Sequence, residues 1–154
     1  MQKGSPNKNG KNKVKILVVE DVANVAVVLK ARLESYGYEI CAMADTGPKA
    51  IAATMQHKPD IVLMDIMLEG DMNGIEAATE ILKKMDVPII YLSCLNDQKV
   101  MDRAIETNPY GYILKPYDSA ELRFGIENAL RKHSVEQEQN ARIADLEKAQ
   151  NTLS

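Results

Sequence analysis

The six-residue stretch Asp60-Ile-Val-Leu-Met-Asp65 constrains the fold of this chain most strongly. Its four consecutive apolar residues predict a strand buried on both faces, as in a parallel sheet covered by helices. A second apolar run, residues 16–19, leads directly into the acidic pair Glu20 and Asp21. Because ligands bind at the carboxyl ends of strands in open α/β sheets, two such neighbouring strands would bring three carboxylates to one small site.

Three carboxylates in one place need a positive partner. Each one disfavours the ionised form of the others unless a cation lies among them. Oxygen ligands in this number suit Mg²⁺ (or Mn²⁺), which takes few carboxylates and keeps several waters. The cluster therefore predicts a metal site, and one carboxylate remains available as a nucleophile.

The composition is that of one globular domain with an acidic body. The chain has 154 residues, 45% of them hydrophobic, and a formal net charge of −3. Residues 1–13 contain four lysines and no acidic residue, so the excess of acid lies in the remainder. We therefore expect residues 1–13 to form a disordered basic leader, and we do not expect direct DNA binding by the body.

The lengths of the apolar runs and the positions of the two cysteines indicate the cellular location of the chain. No apolar run approaches the roughly 18 residues of a membrane span, and the start lacks the apolar segment of a signal peptide. Cys41 and Cys94 both lie within apolar stretches, and their separation matches neither a metal-binding spacing nor a disulfide framework. We expect reduced core thiols, no membrane association and a cytoplasmic location.

Five predicted strands alternate with five predicted helices. The strands are expected near residues 15–19, 39–43, 60–65, 88–92 and 110–114. The helices are expected near residues 22–36, 48–57, 75–85, 97–107 and 119–133, with Thr46, either Asn96 or Asp97, and either Asp118 or Ser119 as caps. Each connection is about as long as a right-handed crossover, so the pattern predicts an α/β fold with a doubly wound five-stranded parallel sheet.

Four predicted strands deliver chemically useful side chains to the same edge. These residues are Glu20 and Asp21, Asp65, Ser93 and Lys115. They supply an acid pair for a metal, a carboxylate nucleophile, a hydroxyl group and a fixed cation. Phosphoryl transfer needs such groups, because its catalysis consists largely of positioning and of neutralising charge on the phosphoryl oxygens.

With these residues in place, residues 14–133 resemble a receiver domain of the two-component response regulators, similar to the chemotaxis regulators. The matching segments are Ile16-Leu-Val-Val-Glu-Asp21, Pro59-Asp-Ile-Val-Leu-Met-Asp65, Asn73-Gly74, Pro88-Ile-Ile-Tyr-Leu-Ser93 and Gly111-Tyr-Ile-Leu-Lys-Pro116. The resemblance implies a flavodoxin-like (βα)₅ fold with strand order 2-1-3-4-5. It also implies that residues 134–154 form a helical tail or linker outside the receiver domain.

The resemblance assigns roles to the site residues. Asp65 would be the phosphoacceptor, attacking a phosphohistidine on a histidine kinase or a histidine phosphotransfer protein. Asp21 and Asp65 would hold the metal directly, with the Met67 carbonyl as a further ligand and Glu20 acting through water. Lys115 would pair with a phosphoryl oxygen. The chain would then be a signalling switch, whose only enzymatic chemistry is to take up and release its own phosphoryl group.

The resemblance also implies an output. Ser93 would move to hydrogen-bond the phosphoryl group, and Tyr112 would turn inward once the Ser93 loop has moved. This movement would remodel the face formed by the fourth helix, fifth strand and fifth helix. That face would then bind a downstream protein or a second phosphorylated copy of the chain.

Several positions depart from the family pattern. The loop of residues 68–73 is one residue longer than usual, and its Glu69 and Asp71 are expected to alter metal affinity or partner choice. Cys94 replaces a small residue, which narrows access to the acceptor. Leu95 and Met67 occupy places that tune hydrolysis in relatives, and neither side chain can orient a water molecule.

The tail is expected to carry no output domain. We expect the fifth helix to end near His133, which leaves too few residues for a helix-turn-helix module. Ile143, Leu146 and Leu153 have coiled-coil spacing, but Gln150 interrupts the seam. The tail is thus either a solvated helix or a weak dimer contact, and the chain is either a stand-alone regulator or a part of a longer regulator or hybrid kinase.

Two other classes of function fit less well. An aspartyl phosphatase or phosphotransferase resembling the haloacid dehalogenases would carry a second Asp where this chain has Met67, as well as a capping insertion. A flavodoxin-like nucleotide-binding protein would have a Gly-rich phosphate loop after the first strand, where this chain has Glu20 and Asp21.

Overall fold

The computed structural model describes residues 13–94 and 97–153, which form five strands and five helices in strict alternation. In chain order the elements are β1 (Lys15–Val19), α1 (Ala23–Ser35), β2 (Glu39–Ala44), α2 (Gly47–His57), β3 (Ile61–Asp65), α3 (Gly74–Lys84), β4 (Ile89–Ser93), α4 (Gln98–Glu106), β5 (Gly111–Leu114) and α5 (Ser119–Leu153). All strand pairs are parallel, and the sheet order is β2-β1-β3-β4-β5. The predicted doubly wound fold and its strand order are confirmed.

The three inner strands are apolar on both faces because helices cover both faces of the sheet. One cluster contains Leu17, Val62 and Met64 together with residues of α2 and α3. The other contains Ile16 and Leu63 together with residues of α1 and α5. Side chains alternate between the faces along a strand, so adjacent residues of β1 and β3 enter opposite clusters. This burial on both sides explains the unbroken apolar run before Asp65.

Polar caps fix where the helices begin. The Thr46 hydroxyl accepts a hydrogen bond from the Lys49 N–H at 3.3 Å, and the Asp97 carboxylate accepts from the Lys99 N–H at 2.8 Å. Asp118 and Glu121 form a reciprocal pair in which each side chain accepts from the backbone N–H of the other. These contacts confirm Thr46 and choose Asp97 and Asp118 from the predicted alternatives.

The fifth helix is longer than expected. The prediction that it ends near His133 is wrong, because α5 continues without a break to Leu153 over 35 residues. Residues 134–150 contain neither Gly nor Pro and are rich in helix-favouring Glu, Gln, Ala and Lys, so no local signal ends the helix. Residues 134–153 are therefore helical, and they directly continue a helix that packs on the sheet.

The expected burial of both cysteines is only partly correct. Cys41 is half-buried, and its thiol donates a hydrogen bond to the Ile16 carbonyl at 3.5 Å. Cys94 is exposed, so its interpretation as a core thiol is wrong. It lies just beyond the end of β4, where the chain leaves the sheet. Both thiols are free.

None of the helices in the described ranges has both the length and the apolar character needed to cross a lipid bilayer.

Candidate functional site

The predicted site residues meet at the carboxyl edge of the sheet. Val19 and Met64 are register partners in β1 and β3, so Glu20 follows beside Asp65. Between β4 and the end of β5, the Lys115 N–H donates to the Ser93 carbonyl at 2.8 Å. Glu20, Asp65 and Ser93 are only 5%, 6% and 0% exposed. The fold thus brings together side chains that are up to 95 positions apart in sequence.

Lys115 is the cation of this site. Its Nζ lies 3.0 Å from Glu20 Oε1 and 3.1 Å from Asp65 Oδ2, so one ammonium group bridges two buried carboxylates. Burial alone lowers the pKa of Lys115, but the Glu20 hydrogen bond and the Asp65 charge together raise that pKa above its usual value. Lys115 is therefore charged and compensates the acidic residues around it.

Backbone N–H groups hold the remaining carboxylate oxygens of the two buried acids. The Met67 N–H donates to Asp65 Oδ1 at 3.0 Å, and the Val22 N–H donates to Glu20 Oε2 at 3.2 Å. Each buried carboxylate therefore has one oxygen on the Lys115 ammonium and the other on the backbone of the residue two positions later. Both side chains are fixed in orientation before any ligand arrives.

Gly74 allows α3 to begin directly against the backbone of Asp65. A Cβ atom at this position would lie 2.1 Å from the Asp65 carbonyl oxygen, a distance that no side chain could adopt without a shift of the backbone. The Gly74 N–H also donates to the Ile66 carbonyl at 2.8 Å. The preceding Asn73 caps the helix in a reciprocal pair with Glu76. The Asn-Gly pair singled out in the sequence therefore sets the distance between α3 and Asp65.

The acidic cluster has the ligand set of a hard divalent cation. Glu20, Asp21 and Asp65 each offer a carboxylate oxygen, and these three atoms lie within 4.8 Å of one another. Carboxylates without sulfur or imidazole ligands match the preference of Mg²⁺ and Mn²⁺. The residues present therefore fit the predicted metal. The suggested contribution of the Met67 carbonyl stays a prediction.

The loop after β3, residues 68–73, contacts one of these carboxylates through its backbone. The Glu69 N–H donates a hydrogen bond to Asp21 Oδ2 at 3.1 Å. Sequence reasoning pointed to the Glu69 side chain and missed this backbone contact. No sequence signal could have revealed it, because every residue except proline offers the same N–H group.

The two predicted switch residues, Ser93 and Tyr112, lie on the neighbouring strands β4 and β5. Ser93 is fully buried at the end of β4, and Tyr112 is half-buried on β5. The Tyr112 ring meets the edge of the Tyr91 ring at a centroid distance of 6.3 Å. The buried Tyr91 hydroxyl in turn shares a hydrogen bond of 2.7 Å with Thr107, the C-cap residue directly after α4. Sequence reasoning missed this link from Tyr112 to α4.

Comparison with known proteins agrees with this geometry. The family model described as response regulator receiver domain matches residues 16–127. The Transcriptional regulatory protein PdtaR of Mycobacterium tuberculosis is 33% identical over 118 residues, which are 77% of this chain and 57% of PdtaR. The DNA-binding response regulator MtrA of the same organism is 34% identical over 133 residues, which are 86% of this chain and 58% of MtrA. The chain thus spans little more than half the length of these relatives.

Solved structures show the same similarity. The signal receiver domain of a modulated diguanylate cyclase from Desulfovibrio desulfuricans superposes with a TM-score of 0.77 at 35% identity, covering 81% of this chain and 99% of that one. The BeF₃-activated N-terminal receiver domain of Klebsiella pneumoniae RstA superposes with a TM-score of 0.71 at 29% identity, covering 76% of this chain and 98% of that one.

The contribution of Lys115 to the stability of the fold can be measured by substitution. Lys115→Met should lower the free energy of unfolding by about 3 kcal/mol, because it leaves two buried carboxylates without their cation. In urea titrations without divalent cations, adding Asp65→Asn to Lys115→Met should restore part of this loss, since one negative charge is then removed. Strict additivity of the two substitutions would show that Lys115 and Asp65 do not interact.

Proposed function

The chain belongs to the response regulator receiver domain family, and on this premise we propose that it is a phosphorylation-controlled switch with Asp65 as the phosphoacceptor. The observation that carries the proposal is the position of the Asp65 carboxylate, which is buried beside Glu20, bonded to Lys115 and oriented by the Met67 N–H. A nucleophile held in this way needs little reorganisation to attack.

The proposed reaction is an in-line phosphoryl transfer. A carboxylate oxygen of Asp65 attacks the phosphorus of a phosphohistidine, so that an O–P bond forms as the P–N bond to the imidazole breaks. Lys115, already 3.1 Å from Asp65 Oδ2, can pair with an oxygen of the incoming phosphoryl group. The proposed donor is a histidine kinase or a histidine phosphotransfer protein in the cytoplasm. Hydrolysis of the acyl phosphate later resets the switch.

The acidic cluster would hold the metal that this transfer needs. Asp21 and Asp65 would bind Mg²⁺ (or Mn²⁺) directly, the Met67 carbonyl would add a ligand, and Glu20 would act through water. The bound ion would neutralise charge on the phosphoryl oxygens. The Glu69 N–H bond to Asp21 restricts the orientation of that carboxylate, so the longer loop supports the metal site through its backbone.

The proposed output is a change in the face formed by α4, β5 and α5. Ser93 would move towards the phosphoryl group, and Tyr112 would follow into the space that the loop vacates. Ile105 and Leu114 on this face are 59% and 44% exposed, so it offers apolar surface to a downstream protein or to a second phosphorylated copy. Tyr91 supports the coupling, because it contacts Tyr112 on one side and Thr107 at the end of α4 on the other.

The Asp65 assignment has a direct labelling test. Incubation with Mg²⁺ and a small phosphodonor should add one acid-labile phosphoryl group, and Asp65→Asn should abolish the label because an amide is not a comparable nucleophile. Asp60→Asn is the matched control. Asp60 lies just before β3, at the opposite edge of the sheet, where it accepts a hydrogen bond from the Lys15 N–H. Full labelling of Asp65→Asn, or loss of label in Asp60→Asn alone, would contradict the assignment.

Metal binding should appear as thermal stabilisation. At a Mg²⁺ concentration about ten times the dissociation constant, the folded state should gain about 1.4 kcal/mol by mass action. Asp21→Asn should raise the melting temperature of the metal-free protein, because it removes like-charge repulsion, and should weaken the response to Mg²⁺. Asp145→Asn, an exposed change in the tail, is the control and should keep the full response. An undiminished response in Asp21→Asn would place the ion elsewhere.

Substitution of Ser93 should separate the proposed conformational change from the phosphorylation of Asp65. Ser93→Ala should accept phosphate at Asp65, since the attack does not use the hydroxyl group, but it should transmit the change poorly to α4 and β5. Hydrogen exchange with and without beryllium fluoride and Mg²⁺ measures this, and the altered protection expected over residues 97–131 should shrink in the variant. Identical changes in wild type and Ser93→Ala would rule out the proposed role of Ser93.

A further inference from the structure

The outer side of α5 carries a line of large exposed apolar side chains. Phe124, Val135 and Leu146 are 72%, 45% and 65% exposed, and Phe124 is the most exposed of the large hydrophobic residues in the described ranges. They follow one another in two steps of 11 residues. Eleven residues make slightly more than three complete helical turns, so the three side chains lie along a nearly straight line. The residues of α5 that pack on the sheet, such as Leu122, Ile126 and Ala129, lie on the opposite side of the helix.

The 11-residue spacing extends to polar side chains of the same line. After both Phe124 and Val135, an amide residue follows four positions later and an arginine follows seven positions later. These pairs are Asn128 and Gln139, and Arg131 and Arg142. Asn128 is partly buried, and the other three are exposed. The repeat runs from the part of α5 that covers the sheet into the part that extends beyond it, so a single surface joins the two parts.

We propose that this line, the α5 stripe (Phe124, Asn128, Arg131, Val135, Gln139, Arg142 and Leu146), binds a second copy of the chain in antiparallel orientation, with Val135 at the two-fold axis. A long helix without packing on one face is marginally stable in water, and an apolar stripe on a second helix is the partner that stabilises it. A second copy of the chain is such a partner. Phe124 and Leu146 are each 11 residues from Val135, so in an antiparallel pair centred on Val135 the Phe124 of one chain faces the Leu146 of the other.

Charge decides between the two orientations. A parallel two-fold pair would place Arg131 against the partner's Arg131 and Arg142 against the partner's Arg142, where like charges repel. The antiparallel pair centred on Val135 places Arg131 against the partner's Gln139 and Arg142 against the partner's Asn128. An amide oxygen accepts a hydrogen bond from a guanidinium group, so each arginine then meets an acceptor. Phe124 meets the partner's Leu146.

The α5 stripe overlaps the face proposed to respond to phosphorylation only at its start, because Val135, Gln139, Arg142 and Leu146 lie beyond residues 97–131. It contains neither Ser93 nor Tyr112, and its apolar positions extend about 33 Å along α5, at 1.5 Å per residue. The α5 dimer therefore forms without phosphorylation, and the beryllium fluoride mimic leaves its dissociation constant within about twofold.

Sedimentation of the full chain over a concentration series tests the interface. The wild type should show a monomer–dimer equilibrium, and Leu146→Glu should raise the dissociation constant at least tenfold. Ile143→Glu is the matched control. Ile143 is 53% exposed on the same part of α5, but its side chain is turned about 100° from the line of Phe124. A wild type that stays monomeric at every concentration would overturn the proposal. An equal rise of the dissociation constant in Ile143→Glu would also overturn it, because the contact would then be a short coiled coil formed by Ile143 and Leu146.

Disulfide trapping tests the orientation. In a background with Cys41→Ser and Cys94→Ser, Phe124→Cys and Leu146→Cys are made in separate chains, mixed and oxidised. The antiparallel pair predicts the mixed disulfide as the main product, because only residues with nearby Cβ atoms can be bridged. Disulfides that join only identical chains would overturn the antiparallel arrangement.

Discussion

The contact of Lys115 with Glu20 and Asp65 is the interaction on which the rest of this structure depends. Two carboxylates that are almost fully buried would repel each other and resist desolvation, and one ammonium group 3.0 and 3.1 Å away compensates both. The same contact places a fixed positive charge beside the oxygen proposed to accept phosphate. The groups that stabilise the resting fold are therefore the groups that the proposed chemistry uses.

The sheet order makes this contact possible. Because β1 and β3 are neighbours and β4 and β5 follow on one side, side chains from four different strands reach one edge. Local features then set the finer geometry. Gly74 lets α3 approach the Asp65 carbonyl, and the Met67 and Val22 N–H groups orient the two acids. Each feature depends on the backbone, so it remains in place whichever partner the switch serves.

Most of the fold, and the set of residues at the site, could be predicted from the sequence, because both depend on local patterns. Apolar runs marked the strands, and an acid, a serine or a lysine followed four of the five runs at the carboxyl edge. The end of α5 could not be predicted from the family pattern, since residues 134–150 carry no stop signal. The Glu69 contact with Asp21 and the Tyr91 contact with Thr107 arise only when distant segments pack, and no periodicity encodes them.

The identity of the nucleophile is the central claim, because Glu20, Asp21 and Asp65 lie close enough to compete for it. Borohydride reduces an acyl phosphate to an alcohol, so it converts a phosphorylated aspartate into homoserine at its own position. After treatment with a phosphodonor and Mg²⁺, borohydride reduction and peptide mass spectrometry should find homoserine at residue 65 and unchanged acids at residues 20 and 21. Homoserine at residue 21, or the reduced form of Glu20, would contradict the account.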